Sequence, residues 1–355
     1  MYLAIDVGFA VDLGRAEHIL AAEQLPQGFK KPRRAPEPAQ LRRHSARVSQ
    51  SGDSVCVGRF RSEPAVEIAV WEFGAASIRY RIPLDAELAE LAVLSDSLWD
   101  NQELLADARA RAARLLDAIR PAVDKPRLGE RMEDYVAFEF QLPAGTQLSE
   151  LWTTHAAITA SILRAEREAL SQDEIADALS MRCAYVPDEV VLADWFAALL
   201  VGDDMDDERL VIELTVVELL ELRHLDEQLD HGIDAAYALL SRQQGWIASL
   251  GTRSDDLALV SQLQADAAVL FEGVDNALKL LGDQYLARLY RMISTRFHLP
   301  QWDAALERKL RVLDSIYEKL ATRAVSRRFE VLEIIIVILI AVSIVAPFAS
   351  GVWAH

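Results

Sequence analysis

The sequence predicts an α+β protein: a small antiparallel sheet with helices, followed by a long helical hairpin or coiled coil and one C-terminal transmembrane helix. Three observations predict this fold class. Short segments that alternate β-branched and aromatic residues with polar ones occur up to residue 142, apolar residues recur at three-and-four spacing after residue 190, and a long uncharged apolar run closes the chain.

Composition limits the function classes. The 355 residues are 52% hydrophobic and 26% charged, enough for two domains with cores. The net charge of −18 argues against a body that wraps nucleic acid through a broad basic face. The two cysteines, Cys56 and Cys183, have no metal-site or disulfide spacing, which is typical of a reducing compartment, and we expect both to be buried.

Within residues 1–27, the sequence predicts a strand at Tyr2–Val7 and a short helix at Arg15–Leu25. We expect no secretory signal peptide, because this segment lacks the basic start of one. Residues 28–53 are predicted to be a basic, proline-rich linker. Its positive side chains favour contact with anionic lipid, or with RNA or a ribosome; the alternative is a solvated loop. The residues expected to contact lipid or phosphate here are Lys30, Lys31, Arg33, Arg34, Arg42 and Arg43.

Residues 54–190 are predicted to form the α+β domain. Alternating apolar and polar residues predict strands, and apolar residues on one helical face predict helices. The predicted strands are Ser54–Phe60, Val66–Phe73, Ser77–Ile82 and Tyr135–Leu142, and the predicted helices are Asp85–Leu94, Ser97–Ile119, Leu148–Ile162 and Gln172–Leu179.

Residues 191–300 predict a helical domain with coiled-coil character, and residues 301–331 a stalk helix. A seven-residue apolar repeat runs through both and breaks at His298-Leu299-Pro300, which predicts an antiparallel helix pair. Because such a stripe exposes apolar surface unless a partner covers it, we expect a homo-oligomer. The predicted interface residues are Val260, Leu263, Leu270, Val274, Leu281, Leu306, Leu313 and Leu320.

Residues 332–354 are predicted to span a membrane. From Ile334 onward the chain has no Asp, Glu, Lys or Arg, and its last 22 residues would extend roughly 33 Å as a helix. Basic residues that precede the run predict a tail-anchored protein of the inner or plasma membrane, with its N-terminal part in the cytoplasm, or in the matrix of an organelle. The anchor residues are Ile334, Ile336, Ile338, Leu339, Ile344, Phe348 and Trp353, and the flanking lipid contacts are Lys319, Arg323, Arg327 and Arg328.

No catalytic, cofactor-binding or metal-binding residues are predicted. Glu221 and His224 have the three-residue spacing of a di-iron bundle, but no second pair with this spacing accompanies them. The acidic run Asp203–Glu208 lacks the spacing of a calcium loop and is typical of a segment that precedes a helix. His155 is expected to be a capping or hydrogen-bonded histidine.

Five segments share a pattern of spaced apolar and small residues. They are Tyr135-Val-Ala-Phe, Thr154-His-Ala-Ala-Ile-Thr-Ala-Ser, Val191-Leu-Ala-Asp-Trp-Phe-Ala-Ala-Leu-Leu, Glu218-Leu-Leu-Glu-Leu-Arg-His-Leu-Asp-Glu-Gln-Leu-Asp and Arg327-Arg-Phe-Glu-Val-Leu-Glu-Ile-Ile-Ile. These segments resemble the family named for "required for meiotic nuclear division", as a bacterial-type member, and the resemblance covers roughly residues 54–350.

The resemblance implies a non-enzymatic role. Eukaryotic relatives in that family include yeast sporulation proteins and a mitochondrial inner-membrane protein that forms a large homo-oligomer and supports translation. We therefore expect a non-enzymatic, membrane-anchored, self-assembling scaffold or tether without a cofactor. Two alternatives stay open: a membrane-anchored enzyme that acts on a nucleotide, lipid or nucleic acid, and an adaptor that recruits RNA or ribosomes through the basic linker.

Overall fold

The computed structural model describes residues 1–22, 29–30, 45–143, 145–242 and 283–351. The chain divides into two compact units. The first comprises Met1–Leu225 and Val269–Ala304, and the second comprises Asp226–Ala268 and Ala305–His355.

The first unit contains all the described strands, and most of them join one sheet. The strands are β1 (Tyr2–Asp6), β2 (Ala10–Val11), β3 (Phe29–Lys30), β4 (Ser45–Ser51), β5 (Cys56–Val57), β6 (Phe60–Arg61), β7 (Ala65–Trp71), β8 (Ala75–Arg79), β9 (Val123–Asp124), β10 (Met132–Phe140), β11 (Arg182–Cys183), β12 (Val190–Ala193) and β13 (Ala197–Val201).

The described helices fall into a group of short ones and three that follow the last strand. They are α1 (Leu13–Ala22), α2 (Leu88–Leu98), α3 (Gln102–Ile119), α4 (Ala156–Arg164), α5 (Gln172–Ala178), α6 (Asp206–Arg242), α7 (Gln284–Arg296) and α8 (Leu299–Gly351). Side-chain hydrogen bonds cap the first turn of several helices. Asn101, for example, accepts a hydrogen bond from the backbone N–H of Leu104 at 3.1 Å and so fixes the start of α3.

Nine strands form the main sheet in the order β11-β12-β13-β10-β1-β8-β7-β4-β3. All neighbours are antiparallel except β10 and β13, which run parallel. Strand β1 lies between β10 and β8, so Tyr2 is opposite Tyr135 on one side and Arg79 on the other. The start of β1 therefore lies at the same edge of the sheet as the ends of β8, β10 and β13.

The two faces of the sheet differ in chemistry, because side chains alternate along each strand. On β1, Leu3 and Ile5 point into the main apolar core, which also contains buried residues of α2, α3, α4 and α5. Tyr2 and Asp6 point to the opposite face, where ion pairs join the sheet to α6. The second face is therefore a polar one that a helix covers.

A close contact of two glycines holds the end of β1. Gly74 has φ +99°, and a Cβ added there would lie 2.0 Å from the carbonyl oxygen of Gly8. The Gly74 carbonyl also accepts a hydrogen bond from the N–H of Val7 at 2.8 Å. Only glycine fits this approach without strain.

In the second unit, the C-terminal part of α6 pairs with α8. Lys309 of α8 lies 2.6 Å from the carboxylates of both Asp226 and Asp230 of α6. Leu229 of α6 and Leu313 of α8 are buried beside these ion pairs, with 2% and 0% of their surface exposed.

The prediction of a small antiparallel sheet is wrong, because the sheet has nine strands and includes a parallel pair. Residues 190–201 form β12 and β13, whereas the sequence predicted helix from Val190 onward. Both strands are buried, so their residues form a nearly continuous apolar run. Such a run has no period that distinguishes a strand from a helix.

The predicted transmembrane helix is also wrong. Among the residues that the structure describes, no helix is long and apolar enough to cross a membrane. The membrane and tail-anchored assignments, and the single-pass localisation in the inner or plasma membrane, are corrected by the same finding.

Candidate functional site

Alternating positions on three neighbouring strands place charged residues on the polar face of the sheet. Arg47 of β4 and Arg79 of β8 lie on either side of Glu67 of β7. Nη1 of Arg47 is 2.8 Å from one carboxylate oxygen of Glu67, and Nη2 of Arg79 is 2.6 Å from the other. One glutamate therefore holds two arginines on the same side of the sheet.

Helix α6 adds a fourth charge. Oε2 of Glu213 lies 2.7 Å from Nη2 of Arg47, and the hydroxyl of Ser77 donates to Oε1. Only 2% of the Glu213 side chain is exposed. Burial acts to lower the pKa of Arg47, but the carboxylates of Glu213 and Glu67 outweigh it and raise that pKa above its ordinary value. The group therefore stays charged and ties α6 to the sheet.

Two hydrogen-bond donors next to this network have no acceptor in the described part of the chain. They are the hydroxyl of Tyr2 and Nε of Arg79, and both atoms are buried. Burial, with the nearby charge of Glu213, raises the pKa of Tyr2 to about 12, so its hydroxyl keeps the proton. Buried donors in proteins nearly always have a protein or water partner, so these two atoms are candidates to donate to a bound group.

Tyr2 and Arg79 line a cavity of about 700 Å³ at the edge where β1 begins and where β8 and β10 end. One part of its wall is apolar. That part consists of Ile82, Leu84, Leu94, Leu98, Phe138 and Phe140. The cavity is thus within the range of small-molecule sites, and it combines an apolar wall with a few polar groups.

Two further arginines reach the same cavity. Arg209 of α6 is held by Glu139 and Asp206, so its charge is already balanced. Arg81, just after β8, is exposed, and its guanidinium makes no ion pair or hydrogen bond with the described residues. Together with Tyr2 and Arg79, whose unpaired donor atoms are buried, it gives the cavity three lining residues with donors that lack an acceptor among the described residues.

Acidic residues in the wall restrict what can bind. Glu63 and Asp203 line the cavity in addition to Glu139 and Asp206. They would repel an extended polyanion, whereas a single compact oxyanion can approach the three donors without meeting all four carboxylates. The arrangement favours one oxyanion group that is attached to an apolar body.

Glu221 and His224, the pair that the sequence analysis compared with a di-iron site, lie on α6 beside Asp6 and Arg127. Nε2 of His224 is 3.4 Å from Oδ2 of Asp6. Within the described ranges, no group of three His, Cys, Asp or Glu residues is arranged to hold a metal ion. Cys56 is exposed, contrary to the sequence prediction, whereas Cys183 is buried.

The structure places only some of the predicted interface and anchor residues. Leu306 and Leu313 have 0% of their surface exposed, so the chain itself already covers them. Ile336, Ile338 and Leu339 are exposed by 54%, 55% and 62%. The interface residues Val260, Leu263, Leu270, Val274 and Leu281 and the anchor residue Trp353 lie outside the described residues, and the side chains of Leu320, Ile334, Ile344 and Phe348 lie outside the described side chains.

The structure also describes only some of the residues that the sequence predicts to contact lipid or phosphate. Lys319 is exposed on α8. Lys30 lies in β3, but its side chain, like those of Arg323, Arg327 and Arg328 in α8, is outside the described side chains. Lys31, Arg33, Arg34, Arg42 and Arg43 lie outside the described residues, so phosphate or RNA contact through this linker stays a prediction.

Sequence reasoning missed the cavity and the charged network completely. The network joins Arg47 to Glu213, which are 166 positions apart. One signal was available. Glu67 interrupts the apolar strand Ala65–Trp71, and a charge in a buried strand is tolerated only when an opposite charge or hydrogen bonds pair with it.

Comparisons with known proteins place the site inside a matched region. The sequence profile of a family described as "Uncharacterized protein MJ0711, N-terminal domain" matches residues 1–208, which include every cavity residue except Arg209. The chain is also similar to the uncharacterized protein MJ0711 of Methanocaldococcus jannaschii, with 27% identity over 165 residues.

That alignment covers 45% of this chain and 49% of the relative, so the chain spans about half the length of the curated relative it matches. No solved structure matches the chain. These comparisons do not test the resemblance to the family named for "required for meiotic nuclear division", which stays an expectation.

Proposed function

The chain belongs to the family described as "Uncharacterized protein MJ0711, N-terminal domain", and we propose that its first unit binds a small molecule with one oxyanion group and an apolar body. One observation carries the proposal. Tyr2, Arg79 and Arg81 line a single cavity, and each contributes a donor that no described group accepts from. A carboxylate or phosphate oxygen is the acceptor that fits them.

The apolar wall determines the rest of the ligand. Phe138 and Phe140 of β10 and Leu98 of α2 line the cavity on the apolar side of the sheet. Tyr2 and Arg79 lie on the polar side, so the chain or ring of the ligand would bury its apolar surface around the end of the sheet from the oxyanion group. A free inorganic anion would gain only the polar contacts. We therefore expect decanoate to bind more tightly than acetate, and also more tightly than neutral decanol.

Titration calorimetry with the whole chain tests this. Decanoate should bind saturably, and Arg81→Gln should weaken the binding about tenfold, the effect of one charge-assisted hydrogen bond. Arg120→Gln is the matched control, because Arg120 is an exposed arginine that does not line the cavity. Equal binding of decanoate and decanol, or equal losses in the two variants, would overturn the proposal.

A second candidate function, a self-assembling scaffold, is favoured by a different observation. Ile335, Ile336, Val337, Ile338, Leu339 and Ile340 are consecutive on α8, and each is about half exposed. A second copy of the chain could cover this run and so remove a contiguous apolar surface from water.

Light scattering of the whole chain checks the second candidate. Ile338→Glu should reduce a discrete oligomer to smaller species, whereas Ser315→Glu puts the same charge on an exposed position of the same helix outside the run and should leave the mass unchanged. A monomeric wild-type chain would remove this candidate and leave the binding proposal untouched.

A further inference from the structure

Asp6 of β1 and Glu221 of α6 are two buried carboxyl groups, and each has 3% of its surface exposed. His224, three residues after Glu221 on α6, lies 3.4 Å from Asp6, so the two carboxyl groups lie near the same contact between strand and helix. Each also has one oxygen, Oδ1 of Asp6 and Oε1 of Glu221, without a hydrogen-bond partner among the described residues. Two ionised carboxylates with unpaired oxygens at such a site would repel each other strongly. A proton on the pair removes that repulsion.

The positive charge beside the pair is sufficient for one carboxylate. Nη2 of Arg127, in the loop after β9, lies 3.3 Å from Oδ2 of Asp6. The same nitrogen contacts Nε2 of His224. A guanidinium only donates hydrogen bonds, so Nε2 of His224 accepts in this contact. One cation therefore faces two carboxyl groups.

On the side of the sheet that faces the pair, the charged groups of the neighbouring elements are paired within the described part of the chain. Asp134 of β10 has an unpaired carboxylate oxygen, but it lies opposite Leu3, on the other side of the sheet. On β10, Glu133 is paired with Arg223 of α6 at 2.7 Å. On β8, the residue opposite Asp6 is Ala75. One turn earlier on α6, Glu218 accepts hydrogen bonds from the hydroxyl of Tyr290 at 2.9 Å. The charge on the pair is thus set by Arg127, His224 and the pair itself.

We propose that Asp6 and Glu221 form a proton-binding site that retains a proton at neutral pH and fastens α6 to β1. Loss of that proton leaves two buried carboxylates against one guanidinium and loosens the helix.

The electrostatics agree with this geometry. Burial raises the pKa of Asp6 to about 6, against the opposing effect of Arg127. Burial, and then the charge of Asp6, raise the pKa of Glu221 well above its ordinary value, again against Arg127. A raised pKa in the folded state means that this stabilisation is complete below the unfolded pKa and is lost as the pH rises through the folded pKa.

Infrared difference spectra of the whole chain provide the test. At about pH 7 the wild type should show the carbonyl band of a protonated carboxyl group, and Glu221→Gln should lose it. Glu307→Gln removes an exposed carboxyl group, 57% exposed, and should leave the band intact. A wild type without the band, or a band that survives in Glu221→Gln and in Asp6→Asn, would overturn the proposal.

Unfolding by urea gives a second readout that does not depend on the band. The wild-type midpoint should fall between about pH 5 and about pH 8, and Glu221→Gln, which mimics the protonated side chain, should flatten that fall. If Glu221→Gln fails to fold, Asp6→Asn takes its place. The same slope in the wild type and in every folded variant would contradict a proton held by the pair.

Discussion

Oε2 of Glu213 on α6 lies 2.7 Å from Nη2 of Arg47 on β4, and both side chains are almost completely buried. This ion pair joins α6 to β4, which is the second strand from one edge of the main sheet. Because Arg47 also holds Glu67, which holds Arg79, the pair connects α6 to the wall of the cavity.

Breaking that pair should cost much more than breaking an exposed pair of equal length. Glu213→Leu leaves Arg47 without its buried partner and should lower the free energy of unfolding by about 3–5 kcal/mol. Adding Arg47→Met should restore part of the loss, because Glu67 keeps Arg79. Urea unfolding measures both effects.

The control is the pair Arg59–Glu90, which has the same 2.7 Å distance but side chains that are 57% and 42% exposed. Glu90 also accepts a hydrogen bond from the backbone N–H of Glu87 at the start of α2, so the control variant is Arg59→Met, which should cost at most about 1 kcal/mol. Similar losses for Glu213→Leu and Arg59→Met would mean that burial of the network does not matter.

Tyr2→Phe should separate stability from binding. The Tyr2 hydroxyl is buried and has no partner among the residues that the structure describes, so removing it should keep the free energy of unfolding or raise it by about 1 kcal/mol. Decanoate binding should nevertheless weaken several-fold, because the ligand loses a donor. Denaturation without ligand, compared with calorimetry, checks this, and a variant that loses stability but keeps its affinity would contradict the role of Tyr2.

Asp194 and Asp177 give a matched test of burial, since both pair with Arg164 and Arg296. Asp194 is fully buried, whereas the Asp177 side chain is 55% exposed. Asp194→Ala should lower the free energy of unfolding by about 3–5 kcal/mol, and Asp177→Ala by at most about 1 kcal/mol. Comparable losses in chemical denaturation would show that these arginines do not depend on the buried carboxylate.

Lowering the pH should weaken the ion pairs that Glu67 makes with Arg47 and Arg79. Burial acts to raise the pKa of Glu67, but Arg79 and Arg47 outweigh it and lower the pKa below its ordinary value. A lowered pKa gives stability that is present above the unfolded pKa and is lost as the pH falls through the folded one. Glu67→Gln should therefore be less stable than the wild type at about pH 7, and the two should converge in acid.

Unfolding midpoints measured across the acid range check that convergence. Glu130→Gln, at an exposed position, should follow the wild type throughout. A constant gap between the wild type and Glu67→Gln down to the acid limit would show that Glu67 does not carry the charge in this network.

Part of the fold follows from local pattern. Tyr2–Val7 and Tyr135–Leu142 alternate polar and apolar residues, and they correspond to β1 and β10, displaced by a few residues at their ends. Strands β12 and β13 were not predicted, because both faces of each strand are covered and the alternation of polar and apolar residues disappears. Once β12 and β13 are missed, the sheet is predicted too small.

The candidate site could not be predicted from spacing. Tyr2, Arg79 and Arg81 meet because β1 lies beside β8, and that pairing is a property of the whole sheet. Glu213 is a charged residue on α6, yet only 2% of it is exposed, because the sheet covers the polar side of this helix as well. Periodicity identifies an apolar face but does not show which polar face is also buried.

The arginine Nε–Hε resonances of the whole chain, followed by NMR during a decanoate titration, test the binding site most directly. The account predicts that the signals of Arg79 and Arg81 shift together and saturate, while the signal of Arg120 stays in place. Decanol should leave all three unchanged. Unmoved signals of Arg79 and Arg81, or an equal shift of Arg120, would contradict the claim that these donors hold an oxyanion.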